Sequence, residues 1–547
     1  MNAKSGHNRE LNLVMGLAAL LTLPFVAKPW HMDEPLFLAV ARHILSDPAH
    51  PLAFAFNWYG KLAPMATINN TPPLFLYLLA LALKLTGGSE WGMRLFFLPV
   101  PLLTAAGFYR LAARYLQDPL YPALIAVAAP ATALTWGLLY PENLSLLFGV
   151  WGLIWLVQGL DESRSGLFWL SAAFLDLAIL SKYAAIVFLL PAAGYILESG
   201  VGIRRAAAHL LVCLALPLVL ALRDYLGGHG AMEAAAAVTL EAAASPWAYW
   251  PIRLRSVLCF LGGCGVATGF WPLFMKGLRP PPLAAALSAA TVFFLFWSGF
   301  DVLTTTTLDR ISGALWALGG LWCLLAVLSP SRAPAASWRL FAPWVLAVVI
   351  LELCFYWSVI ARIIAFATPA AVFALASILE KSAPDRPQRL RALYRSTLAA
   401  TLLITLSSGY VDYRYASSAR DIVRLVAMRW LKPGHRLWVS GHWGLQYYAE
   451  EEGGAVLDYK APPEAQPRRG DVIIMPWINS WSAQTAERFL ISRLRLRAHV
   501  FMARSGIPVR LLSGWEGQAG FYSNSFGFLP YTLSREPIER YVVAKVD

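Results

Sequence analysis

Residues 11–27 read LNLVMGLAALLTLPFVA and pass directly into KPWHMDEPLF at residues 28–37. The first stretch carries no charge and approaches the ~20 residues that cross a bilayer as helix, with every backbone amide satisfied internally. The second sets two adjacent carboxylates, Asp33 and Glu34, at the exit of that span and ahead of another apolar run. An ionised carboxylate near hydrocarbon is costly and is usually kept for a task. These two stretches together describe a membrane protein with polar chemistry at the membrane rim.

The rest of the chain repeats the first signature. Of its 547 residues, 58% are hydrophobic and 14% charged, against the roughly 45–50% apolar content of soluble domains. Further apolar segments run over 72–87, 94–113, 120–139, 143–160, 166–181, 184–199, 205–222, 253–275, 283–300, 311–329, 340–358, 362–380 and 394–410. Repeated spans of this kind give an α-helical polytopic bundle and not a barrel. The formal net charge of +13 sits largely in short loops between apolar segments, where Lys and Arg set orientation. No nucleic-acid partner is implied. Cys213, Cys259, Cys264, Cys323 and Cys354 all lie in expected spans, which argues against a disulfide framework and a Cys-rich metal site. The first segment is too long for a signal-peptide core and lacks an A-x-A site, so it reads as a retained anchor.

Lys4 and Arg9 precede the first span and place the amino terminus in the cytoplasm. If every apolar segment crossed, the basic loops holding Arg204/Arg205, Lys276/Arg279, Arg332/Arg339 and the Lys381–Arg395 cluster would lie outside, against the positive-inside rule. Segment 72–87 (PPLFLYLLALALKLTG) opens with two prolines, carries Lys84 and closes on Gly87-Gly88. Laid on the membrane as an interfacial or re-entrant helix, it returns those loops to the cytoplasm and leaves about thirteen spans. The 31–71 loop, the Tyr140–Asn143 corner, Lys182-Tyr183, the 223–252 and 301–310 loops and the Ser358–Arg362 corner then share the outer face. Residues 1–410 form a transmembrane catalytic domain on this reading, with 31–93 as a first external loop bearing juxtamembrane helices. Residues 411–547 form an external α/β domain, in which the β-like runs LWVS, DVIIMP, RLLS and YVVAKV alternate with helical patterns such as 419–431. Short loops and an external tail fit a bacterial inner membrane, with the tail periplasmic.

Asp33-Glu34-Pro35 has a plain reading as a helix start over 35–46, since Asp caps, Glu suits a first turn and Pro is tolerated there. Capping needs one carboxylate, however, and nothing about it requires a pair at a membrane exit. The chemical reading is a general base: Asp33 first, Glu34 second, taking a proton from an attacking hydroxyl or amine. A base at a membrane rim suits a lipid with a phosphate head, whose departure requires nearby cations. Lys182 in LAILSKYAAIVFLLP and Arg362 in WSVIARIIAFATPA stand between spans at the outer side, and Arg is suited to bidentate phosphate contact. Each also reads as a snorkelling residue at a helix end. Arg94 in SEWGMRLFF has similar status, or orients its own helix. A divalent ion on Asp33, Glu34 and His31, Mg or Mn by the oxygen ligands, is an option, although adjacent positions rarely point at one ion; no cofactor is required.

HMDEPLFLAVARHIL, NNTPPLFLYLLALALKLTGGSEWGMRLFFLPV, LAILSKYAAIVFLLP and RIIAFATPAAVFAL resemble, in order and spacing, the GT-C glycosyltransferases of the protein O-mannosyltransferase and lipid A aminoarabinose transferase type. The similarity covers most of residues 11–380. It implies transfer of a sugar from a polyprenyl-phosphate carrier, such as undecaprenyl phosphate, to an acceptor at the outer face with inversion. Asp33 matches the family's acidic position in the first external loop, with Glu34 its neighbour. Lys182, followed by Tyr183, and Arg362 match basic positions near the carrier phosphate. A second acidic position falls on Glu142 or Asn143. Relatives often read N-K-P-P where this chain has Asn70-Thr71-Pro72-Pro73, so a phosphate-binding Lys is absent at Thr71, with Lys61 or Lys84 as substitutes. His442 and Trp443 in the tail are candidates for acceptor contact, although the reading as ordinary loop and core residues is the favoured one. The competing class is a lipid or polysaccharide transporter with charges along a pathway. Transporters usually show internal repeats and broken helices near the midplane, and no repeat is evident.

Overall fold

The computed structural model describes residues 2–227, 240–241, 244, 249–265, 267–271, 281–297, 305–479, 496–514 and 517–546. Lys276, Arg279, residues 301–304 and most of the 223–252 loop lie outside the described residues.

Within that range every expected apolar segment lies on helix, whole or in pieces. Five helices are long and apolar enough to cross a membrane: Glu90–Tyr115, Pro141–Asp161, Thr307–Val327, Ala335–Phe355 and Ala361–Ser382. A sixth span results if Ile203–Val212 and Ala215–Arg223, bent by 53°, are taken together. The other segments are helical but short or interrupted, and proline is the usual cause. The 120–139 segment splits into Leu120–Ala128 and Pro130–Trp136, with Ala129 extended between them, because a proline disfavours α conformation in the residue before it. Pro73–Thr86 has 14 residues and reaches about 21 Å, less than the ~30 Å of hydrocarbon in a bilayer.

Ala361–Ser382 is the axis of the bundle, with its apolar window wholly buried. It packs against Pro130–Trp136, Leu120–Ala128 and Ala335–Ile350. Its run of small residues, ATPAAVFALAS, allows neighbouring backbones to approach closely. Arg362 is the second residue of this helix, so the best-anchored element of the molecule carries it.

The first external loop holds the helix Glu34–Ser46 and an antiparallel hairpin, β1 (Ala55–Asn57) with β2 (Leu62–Pro64). Beyond residue 430 a five-stranded sheet is built from β3 (Leu437–Val439), β4 (Ala455–Val456), β5 (Val472–Pro476), β6 (Leu496–Ala503) and β9 (Glu539–Val546), in the order β4-β3-β5-β9-β6. β3 runs parallel to β4 and β5, while β9 pairs antiparallel with β5 and β6. Val472, Ile473 and Ile474 are fully buried, as a central strand covered on both faces requires. β7 (Val509–Arg510) and β8 (Thr532–Leu533) make a separate antiparallel pair, so the expected RLLS strand shrinks to its edge. The expected 419–431 helix is not a separate element. It continues the helix Pro387–Arg429, 43 residues long, because no proline follows Pro387 until Pro433 and the one glycine, Gly409, is tolerated. This rod joins the 394–410 segment to the tail. Tyr415 donates to Glu539 Oε2 at 2.8 Å, and Ser418 and Tyr541 share a hydrogen bond at 2.9 Å.

Candidate active site

Asp33 stands at the N-cap position of Glu34–Ser46 but makes no side-chain capping bond. Its carboxylate is therefore not used for the purpose the plain reading gives it. Instead Asp33 Oδ2 accepts from Arg362 Nη1 at 3.1 Å. The residue before it, Met32, has φ +49°, a left-handed conformation that costs a side-chain-bearing residue ~1–3 kcal/mol and concentrates at functional sites. The Asp33 amide donates to the Tyr140 hydroxyl at 3.3 Å, and the Arg362 guanidinium lies over the Tyr140 ring at 4.8 Å. The Tyr59 hydroxyl, on the same loop, is pushed up to about 12, first by desolvation and then by the charge of Asp33.

Arg362 also places Nε 3.1 Å from Glu142 Oε1, as an ion pair without the alignment of a hydrogen bond. Lys182 Nζ approaches the same oxygen at 3.8 Å. Lys182 is an extended residue between the helix Ser165–Ser181 and a 3₁₀ stretch that begins at Tyr183. Glu142 is buried in the first turn of Pro141–Asp161. Asp33, Arg362, Glu142 and Lys182 thus form one alternating line of charge drawn from four separate parts of the chain. The side chains of Lys182 and Arg362 are each 12% exposed and that of Asp33 is 28% exposed, so the line opens to solvent at the acid. Among the described residues Lys182 Nζ makes no hydrogen bond and Arg362 Nη2 makes none.

Several expected site residues are placed elsewhere. Glu34 is fully buried and its carboxylate is saturated: Arg94 Nη2 donates to both oxygens at 2.9 and 3.0 Å, the His31 amide at 2.7 Å and the Leu139 amide at 2.9 Å. Arg94 also donates to the Lys28 carbonyl and lies over the Trp30 ring at 5.0 Å. The Glu34–Arg94 pair fastens the loop to the bundle, and among the described residues its carboxylate makes no hydrogen bond to Arg362, Glu142 or Lys182. Asn143 donates to the carbonyls of Thr135 and Leu138 at 3.0 and 2.8 Å, so of the two adjacent candidates Glu142 enters the cluster. Lys61 is exposed at the tip of the β1–β2 hairpin, next to Gly60, whose carbonyl accepts from Tyr459. Lys84 is exposed in the last turn of Pro73–Thr86, and Thr71 closes a turn on Asn69 at 2.9 Å. Among the described residues none of these three has a hydrogen bond or ion pair with Asp33, Glu142, Lys182 or Arg362. Asp33, Glu34 and His31 do not fit a metal: Glu34 is held by Arg94 and His31 Nε2 bonds Asp412 at 3.0 Å. Among the described residues no three His, Cys, Asp or Glu side chains gather as a metal-binding group.

His442 and Trp443 lie against the first loop. The His442 ring meets Trp58 at 4.8 Å, Tyr59 at 5.8 Å and Trp443 at 4.9 Å. Burial pushes His442 down to about 3, and its Nδ1 has no partner among the described residues. Trp443 has φ +60°, a second strained position close to Tyr59.

Two supports had no local sequence signal. Buried Asp412, on the rod helix, accepts from Lys28 Nζ at 2.5 Å and from the Tyr522 hydroxyl at 2.6 Å as well as bonding His31. Burial alone would raise the Asp412 carboxyl; the Lys28 charge and then His31 outweigh it and hold it well below the usual range. The second support is a clamp on the corner before Arg362. Asn524 Oδ1 accepts from Ser358 Oγ at 2.7 Å and the Val359 amide at 3.1 Å, and the Ala361 amide donates to the Phe521 carbonyl at 3.1 Å. The tail thereby holds both ends of the Asp33–Arg362 pair.

Residues 70–222 match the dolichyl-phosphate-mannose-protein mannosyltransferase family. The matched stretch contains Tyr140, Glu142 and Lys182, and it overlaps the region from which the resemblance to GT-C enzymes was read. No curated protein matches the chain. Among solved structures, ArnT from Cupriavidus metallidurans in the apo state is similar at 16% identity and TM-score 0.43, over 100% of this chain and 99% of that one. The same protein bound to undecaprenyl phosphate gives 16% and 0.41, over 100% and 98%. Arabinosyltransferase EmbB from Mycobacterium smegmatis gives 18% and 0.31, over 75% and 42%.

Proposed function

We propose that this chain is a membrane-embedded, inverting glycosyltransferase that moves a sugar from a polyprenyl-phosphate carrier to an acceptor. The observation that carries the reading is the pairing of an open carboxylate, Asp33, with two cations whose donors are not used up, Lys182 and Arg362. Asp33 takes the acceptor's proton as the acceptor oxygen or nitrogen bonds to the anomeric carbon. The bond from that carbon to the phosphate oxygen breaks, and the lipid phosphate leaves against Lys182 and Arg362. A positioned base contributes ~10²–10⁴-fold, and a preorganised donor at developing charge ~10²–10³-fold. Glu142 holds the two cations in register. Glu34 is excluded as the base on this reading, because each of its oxygens already accepts two hydrogen bonds and a proton on either would displace a donor. The match of residues 70–222 to a family named for a dolichyl-phosphate sugar donor supports the choice of carrier. The amino terminus lies in the cytoplasm of a bacterial cell, residues 411–547 form the external domain over the rim, and His442 and Trp443 face the acceptor.

The test is Asp33→Asn in lipid nanodiscs, with release of free polyprenyl phosphate measured. Turnover is expected to fall at least ~10²-fold while the protein stays folded; unchanged turnover rejects the assignment. A transporter would release no free carrier in either protein.

A further inference from the structure

One buried acid close to Arg362 in the chain has no part in the charge line. The helix Ala335–Ile350 ends in a π turn, Leu351–Phe355, closed by the Tyr356 amide on the Leu351 carbonyl at 2.8 Å. Such turns insert a residue into the helical repeat and are frequent at functional sites. Glu352 lies in this one with 0% exposure. Its Oε1 accepts from the Ile360 amide at 3.3 Å, two residues before Arg362. Its Oε2 is buried and has no hydrogen-bond partner among the described residues. Unpaired buried polar atoms are rare in native proteins and call for a specific explanation.

The surroundings overlap the site already described and extend to Arg253 and the buried Cys264. Arg362 and Arg253 are the charges that act on Glu352, and Arg253 Nη1 donates to the neighbouring Leu353 carbonyl at 3.1 Å. Tyr356, which follows the same turn, feels Lys182, Arg362, Glu142 and Glu352 together. Through the Ile360 amide Glu352 therefore borders the seat of Arg362, and its second oxygen has no donor among the described residues. A phosphate diester brings no proton and repels a carboxylate, so the phosphate of the carrier cannot complete this oxygen. A sugar hydroxyl or ammonium can.

We propose that Glu352 is a ligand-binding carboxylate of this site, and that its Oε2 hydrogen-bonds a hydroxyl or ammonium group on the carrier-linked sugar. The proposal rests on the glycosyl-transfer reading and adds the group that recognises the donor's sugar. Oε1 is pinned by the Ile360 amide, at the corner that launches Arg362, so sugar and phosphate contacts are set in one frame. A site built around a buried acceptor also rejects a donor that lacks the matching hydrogen.

The test uses the full-length protein and the polyprenyl-phosphate lipids that copurify with it, counted by mass spectrometry as sugar-bearing and sugar-free forms. Wild type, Glu352→Gln and Glu352→Asp are prepared identically. Glutamine keeps an oxygen for the Ile360 amide but loses the charged acceptor, and aspartate withdraws it by one methylene. In both variants the ratio of sugar-bearing to sugar-free lipid is expected to fall about tenfold or more, with total polyprenyl phosphate unchanged. If Glu352→Gln does not fold, Glu352→Asp carries the same comparison. An unaltered ratio overturns the assignment of Glu352. Equal loss of both lipids also overturns it, because Glu352 would then act only through the seat of Arg362. Absence of any polyprenyl phosphate from the wild type overturns the donor reading itself.

Discussion

Removing the charge of Asp412 tests whether the buried junction beneath the site is as tightly coupled as its geometry implies. Asp412 and Lys28 are 3% and 2% exposed, with Nζ and Oδ2 2.5 Å apart. Asp412→Asn leaves the Lys28 ammonium buried without a counter-charge, at a cost of ~3–5 kcal/mol. In Lys28→Met/Asp412→Leu both charges are gone, and the remaining penalty is the Tyr522 hydroxyl and His31 ring left unpaired, about 2 kcal/mol in all at the lower end of ~1–3 kcal/mol per group. The double variant should therefore be more stable than Asp412→Asn by about 2 kcal/mol. At a typical unfolding entropy of ~2.1 cal/mol/K per residue, the single variant lowers Tm by about 3–4 °C. The shift is larger if the unfolded bundle retains helices in detergent, since its unfolding entropy is then smaller. Intrinsic tryptophan fluorescence during heating reads it directly. A Tm for Asp412→Asn within 1 °C of wild type, or a double variant less stable than the single, would refute the reasoning.

Arg362→Lys keeps the charge but cannot span Asp33 and Glu142 at once, and transfer is expected to fall on the order of 10²-fold, as measured by release of free carrier. Glu34→Gln should lower the yield of folded protein and its Tm, while the surviving folded fraction keeps its turnover; size-exclusion profiles beside the transfer assay separate this from Asp33→Asn. Asn524→Ala releases the corner before Arg362 and should reduce transfer about tenfold or more without changing expression, although residue 524 lies far along the tail. His442 is held down to about 3 by burial and His31 is likewise lowered by burial, with Asp412 opposing. A lowered histidine leaves the unfolded chain binding more protons, so its contribution is complete above about pH 6.5 and is lost as pH falls toward 3. Tm measured from pH 7 to pH 4 should decline, and His442→Phe should flatten that decline by up to ~1.4 kcal/mol per pH unit.

Much of the architecture could be read before any contact was known. Hydrophobic runs located every helix of the bundle within the described residues, and the terminal runs located β3, β5 and β9. The short strands β1, β2, β4 and β8 escaped for their length, and the eight-residue β6 escaped because LRAHVFMA is interrupted by Arg497 and His499. The convergence of Asp33, Lys182 and Arg362 followed from charge bookkeeping across the spans. Local reasoning failed where neighbours part company. Asp33 and Glu34 are adjacent, yet one meets Arg362 and the other is consumed by Arg94. Glu142 and Asn143 are adjacent as well, and the ~100° between successive helical positions sends one to the charge line and the other to the Thr135 carbonyl. Lys61, Lys84 and Arg94 carried suitable charge, but no pattern in the chain records which surface a lone cation faces.

The amino-acid sequence alone determined a helical membrane chain with a mixed α/β tail and an acid at the rim of its first span, because hydropathy and helix-breaking act over a few residues at a time. Only the tertiary structure decided that Asp33 would bind a guanidinium 329 positions away, that Asp412 and Asn524 would hold the two halves of that pair, and that Glu352 would keep an oxygen without a partner among the described residues. Ion pairs and buried hydrogen bonds act over about 3 Å, and which groups come that close is settled by how the helices pack.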